Sequence, residues 1–275
     1  MVGNGIPPSA DVSTSTPFLL VCKTAHEWML PFLYHSVKFT TAGQLSKFLS
    51  SHDLPDDLME SSLSPPSSRL DLIQNIHIGE TPSEKGNLEY GSTNWPLTVL
   101  TRLLWLTRSL KRLTILNLDQ NKWRTFEHAV PASLEYLALG PIHGPFRPQD
   151  LKQKPPLKMF TSVLTYMRDD EVQDAVCYPT MRRVRRMLES SSMAPHWAIE
   201  QVGCVSKSPA LERMEIVLLG REQYTEIAAA VMKEQAKIVS RDPRVAIVED
   251  NRSWVKIIYQ EWDDYRLQFL RAHTD

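Results

Sequence analysis

The chain holds little cysteine, carries no excess of either charge and contains no long uninterrupted apolar run. Only Cys22, Cys177 and Cys204 are cysteines among 275 residues. An odd number without CxxC spacing supports neither a disulfide framework nor a structural zinc site, and it fits a reducing compartment, cytoplasmic or nuclear. Lys plus Arg number 31 against 32 for Asp plus Glu, so no global field draws the chain to nucleic acid or to an anionic membrane. A membrane-spanning helix needs about 20 nearly uncharged residues, and no such stretch exists. Residues 1–17 contain no Lys or Arg, and the run from Phe18 to Cys22 is broken by Lys23, which speaks against a secretion signal.

Motifs that carry chemistry are missing as well. There is no GxGxxG, GxxxxGK[ST], HExxH or GxSxG, so phosphate-cradling loops, zinc-protease helices and nucleophile elbows have no support. His77, His128, His143 and His196 are scattered. Cys22 falls on an expected core face, where a buried thiol is inert, and Asp169, Asp170 and Glu171 read as a solvated turn. The expectation is a non-enzyme with no catalytic residue, metal or cofactor.

What the chain does contain is an ordinary globular balance, 42% hydrophobic and 23% charged, and a repeat. Leu110-x-x-Leu113-x-Ile115, Leu134-x-x-Leu137-x-Leu139 and Leu211-x-x-Met214-x-Ile216 share the pattern LxxLxL. Two middle units, beginning at Leu157 and Met181, keep the first apolar positions and lose the third. Successive first positions lie 24, 23, 24 and 30 residues apart, matching or slightly exceeding the period of about 20–29 at which a strand and its return segment make one turn of a solenoid. The predicted fold is therefore α/β, a degenerate leucine-rich-repeat-like solenoid over residues 40–220. Its leucines point inward and residues such as Thr114 and Asn117 line a concave face. An earlier strand is expected over Leu70–Ile78.

Flanking segments have their own character. In FLLVCKTAHEWMLPFLYHSVKF, residues 18–39, Thr16 can cap a helix and Pro17 can open it, with Val21, Ala25, Trp28, Met29 and Phe32 on one face. Pro31 ends or kinks that helix, and His35–Thr40 leans to strand. Residues 1–17 read as a flexible terminus and 50–68 as a loop. Residues 221–275 read as a C-terminal cap: a helix over Gln223–Val239 with Ile227, Ala230, Val231 and Ile238 on its apolar side, a strand Val245–Val248, and an aromatic helix Ser253–Leu270.

LLVCK at 19–23, His26-Glu27, Pro31-Phe-Leu-Tyr34 and Val37 resemble the second half of the F-box of fungal F-box/leucine-rich-repeat-like proteins. The DPRVAIVED stretch at 242–250 and its aromatic helix are similar to the ends of such chains. The F-box is incomplete: residues 1–17 hold no Leu-Pro-containing helix, and Ala25 stands where the family has tryptophan. The resemblance implies a protein-binding, substrate-recognition subunit of an SCF-type ubiquitin ligase, docking on the adaptor through Leu19, Leu20, Pro31, Leu33 and Tyr34. Pure capping by the same helix stays open, as does a stand-alone interaction scaffold. The cluster Arg182, Arg183, Arg185 and Arg186 offers either an acidic-partner site or four solvated surface arginines around inward Val184 and Met187.

Overall fold

In this computed structural model residues 23–52, 69–86, 96–220 and 222–273 are described. Leu19, Leu20, Val21 and Cys22 lie outside them, as does most of the 50–68 segment. Eight strands form one sheet in strictly sequential order, every pair parallel, and the sheet does not close. They are β1 (Ser36–Phe39), β2 (Asn75–Ile78), β3 (Arg112–Leu116), β4 (Tyr136–Gly140), β5 (Met159–Val163), β6 (Arg183–Glu189), β7 (Arg213–Leu219) and β8 (Val245–Asp250). Between and around them run helices α1 (Lys23–Tyr34), α2 (Ala42–Ser50), α3 (Leu97–Leu106), α4 (Trp123–Phe126), α5 (Asp169–Val176), α6 (Ala194–Glu200), α7 (Glu222–Val239) and α8 (Trp254–Ala272). The class is α/β, as expected. No helix among the described residues is long and apolar enough to cross a membrane.

Parallel strands need a crossover connection, and here the five that lead into β3 to β7 end on the same apolar position. Leu110, Leu134, Leu157, Met181 and Leu211 are all buried. Leu113, Leu137, Phe160, Val184 and Met214 stand side by side across β3 to β7, because side chains alternate along a strand and one register places one row on one face. That face, packed against the connecting helices and turns, is the main core. The strands also start alike. The carbonyls of His35, Gln74, Lys111, Glu135, Lys158 and Arg182 each accept two consecutive N–H groups from the next strand's entry, at 2.8–3.1 Å. Gly79 and Gly140 share another row. Their left-handed backbones, φ 128° and 145°, come so close to Leu116 and Val163 that an added Cβ would sit within 2.6 Å of either neighbour, so glycine is required.

Three expectations need correction. The strand expected from Leu70 begins at Asn75, since Arg69–Leu72 forms a 3₁₀ turn with Leu70 buried beneath it. Trp28 of α1 is 75% exposed rather than on the buried face. The apolar side expected for α7 faces solvent, and Thr225, Ala229, Met232 and Ala236 are buried instead.

Helix α8 is capped by Ser253, whose side chain accepts the N–H of Lys256. Its course differs most from expectation. It lies across the second face of the sheet, from the cluster of Trp254 and Val248 to His35 beside β1. Nineteen residues span about 28 Å at about 1.5 Å each, five to six strand spacings of about 4.8 Å. Ile257, Ile258 and Trp254 join Met187, Val217, Leu219 and Val248 in a second apolar cluster. At the far end Phe269 stacks on His35 and meets Phe32 of α1.

Candidate binding surface

The sheet face beneath α8 is where a polar site is assembled. One register row runs Lys38, His77, Thr114, Ala138, Thr161, Arg185, Glu215 and Ala246, a single residue from each of the eight strands. Beside it run Asn75, Arg112, Tyr136, Met159, Arg183 and Arg213. These positions are the spacers of the LxxLxL pattern. Their spacing was visible in the sequence, but nothing there pointed to a cover.

Glu261 is the hub of that cover. Arg185 donates to both its oxygens, one bond being 2.7 Å from Nη2, and Tyr136 Oη donates at 3.1 Å. Burial opposes the charge on Glu261, yet the hydrogen bonds and charge of Arg185 outweigh it and hold the carboxyl below its ordinary range. Burial likewise opposes the Arg185 charge, and the bond to Glu261 overcomes it, keeping the guanidinium firmly protonated. Burial and the neighbouring Glu261 push Tyr136 up to about 12. Arg183 donates to Glu215 at 2.8 Å, and Arg213 lies 2.7 Å from the same carboxylate. The arginines on this face are thus matched by carboxylates or aromatic rings: Arg112 stacks over Tyr136 and Tyr265.

His77 lies under Tyr259 and Trp262. Its Nε2 hydrogen donates to the Glu80 carbonyl at 2.8 Å, and burial lowers its pKa to about 4. Asn75 donates to the Trp262 carbonyl at 3.1 Å, across 187 residues of sequence.

The four arginines of the basic cluster divide between the two faces, because a strand alternates every residue. Arg182 is exposed, beside Glu212 at 3.6 Å. Arg183 and Arg185 share the α8 side with Met187. Arg186 points the other way with Val184 and is fully buried. The expectation of four surface arginines around two inward apolar residues is corrected on that ground. Arg186 donates to Gln201, which in turn donates to the Met167 carbonyl and to Asp169 at 2.8 Å each. Burial lowers its pKa to about 10.

Arg186 and Ser162 occupy the third apolar position that the two degenerate units had lost. Ser162 Oγ donates to His143 Nε2 at 2.8 Å, and His143 Nδ1 donates to the Gly144 carbonyl at 2.6 Å. A serine on an oriented neutral histidine is the arrangement of an activated nucleophile. Here both side chains are buried in the core and serve to satisfy one another.

On α1, Pro31 and Leu33 are half-buried. Tyr34 is turned inward, its hydroxyl 2.6 Å from His52 Nε2 and its ring against Phe48. Trp28, one turn before Pro31, is open. Comparisons of the chain with protein-family models, with curated proteins and with solved structures find no match.

Proposed function

We propose that the chain is a non-catalytic protein-binding module, a degenerate leucine-rich-repeat-like solenoid that serves as a substrate-recognition subunit of an SCF-type ubiquitin ligase. One observation carries the solenoid part: six carbonyls, at His35, Gln74, Lys111, Glu135, Lys158 and Arg182, each take the same pair of N–H groups from the following strand. Units that repeat their backbone joint and bury the same leucines stack by the same contacts. A non-catalytic role agrees with the burial of Ser162 and His143. A protein partner suits the surface better than nucleic acid, since Arg183, Arg185 and Arg213 are already neutralised by Glu215 and Glu261.

Adaptor docking is assigned to α1. Phe32, in its last turns, is engaged with Phe269, while Trp28 one turn earlier stays open and Pro31 and Leu33 are half-open. A helix anchored at its C-terminal end and open before it is preorganised for a partner. Purified adaptor is to be incubated with the full chain, with Trp28→Asp and with Leu33→Asp, each variant checked for unchanged circular dichroism. Capture by the full chain and loss in both variants is expected. A full chain that fails to capture the adaptor leaves the stand-alone interaction scaffold as the function.

A further inference from the structure

Helix α7 carries an apolar stripe with nothing described above it. Ile227 is 63% exposed, Val231 45% and Ile238 84%, with Ala230 exposed beside them. The line Ile227, Val231, Glu234, Ile238 advances by four, three and four residues, the spacing of a seam between two helices. Scattered apolar residues on a surface need no explanation, but a row along one helix does. Ile238 also stands between two shallow depressions, one beside Glu234, Lys237 and Arg241 and the other beside His196, Ile199 and Gln235.

We infer that a second copy of this chain docks on this face, its α7 antiparallel to the first. The stripe is complementary to itself in that sense. Turned about a two-fold axis between residues 232 and 233, Ile227 meets Ile238 of the other copy and Val231 meets the aliphatic stem of Glu234. Charges agree too. Glu226 and Lys237 are both exposed and lie on the same flank, so the rotation sets Glu226 of each copy beside Lys237 of the other, twice over, where that ammonium, already 2.6 Å from Glu234 of its own helix, takes a second carboxylate. Lys233, which the axis brings near its own symmetry mate, is already held by Glu249 at 2.8 Å. A parallel pairing would set the two Glu226 side chains on opposite flanks of the seam, away from Lys237, and lose this match. One helix of about 27 Å buries less than the roughly 800 Å² per partner of a standard interface, so the association is reversible.

The test is sedimentation equilibrium of the full chain over a concentration series. A monomer–dimer equilibrium is expected, abolished by Ile238→Asp and tightened by Glu234→Leu. All these positions are exposed, so the variants keep their circular dichroism. Glu226→Lys and Lys237→Glu should each weaken the dimer about fivefold, the value of two exposed ion pairs. The double charge exchange should restore it. A wild-type chain that stays monomeric, a dimer that survives Ile238→Asp, or a double exchange weaker than either single variant would each overturn the proposal.

Discussion

The two faces of the sheet are stabilised in different ways. On the helix-bearing face each strand supplies its own apolar pair and leans on a neighbour a few tens of residues away, so a defect is absorbed locally. Ser162 and Arg186 occupy leucine positions, and His143 and Gln201 satisfy them there. On the other face the strands before β8 have no cover from their own connections. One later helix crosses most of them, through a few contacts that join residues 76 to 187 positions apart. Distributed packing supplies a local partner for a polar replacement, whereas a single shared cover depends on contacts from one distant helix.

The sharpest test of the distributed face is Leu137→Ala. This side chain is fully buried in the middle of its row, and the change should cost about 2–5 kcal/mol, read from urea denaturation. A midpoint equal to that of the unaltered chain would reject the row as core.

Acid tests both faces together, because each holds neutral histidine. Burial lowers His35 and His77 on the α8 side and His143 on the core side to about 4. Between pH 6.5 and 4 the unfolded chain carries protons there that the folded chain does not. Stability is therefore complete above about 6.5 and is lost as pH falls toward 4, by about 3 kcal/mol for each histidine. His77→Gln should reduce that slope, and a slope unchanged by this variant would place the titration elsewhere.

Glu261→Leu should cost about 2 kcal/mol, less than a fully buried pair because the carboxylate side chain keeps 27% of its exposure. Adding Arg185→Met should recover most of the loss, since the uncompensated cation goes with it. A double variant no more stable than the single one would show that the two faces are not stabilised differently. The smallest effect is expected at the edge of the cover, where Lys38 lies 5.7 Å from the Tyr259 ring. Lys38→Met should change stability by about 0.5 kcal/mol or less, checked by the same denaturation.

How much could be read in advance follows the same division. The first apolar positions, Leu110 to Leu211, and the register they impose were legible because each strand carries its own pattern. The spacer row from Lys38 to Ala246 was visible only as spacing, for its meaning depends on a helix that meets it from the other end of the chain. Arg185 and Arg186 look alike in a run of arginines, and only the alternation of β6 sends one to Glu261 and the other into the core. Helix α7 misled in a different way. Its buried positions are mostly small, Thr225, Ala229 and Ala236 beside Met232, as close approach to its neighbours demands, so a search for large apolar residues selects the opposite side. Of the proposed docking residues, Leu19 and Leu20 lie outside the described part, and Tyr34 is turned inward by His52.

Strands that touch only their sequence neighbours can melt from either end, one unit at a time. Helix α8 follows β8 in the chain but finishes on Phe32 and His35 beside β1, so an element late in the sequence secures an early strand. Losing an outer strand at either edge also removes an anchor of that helix, which couples the two edges energetically. Hydrogen exchange should therefore show one opening free energy shared by β1 to β8, where an uncovered sheet would show a gradient from its ends to its middle.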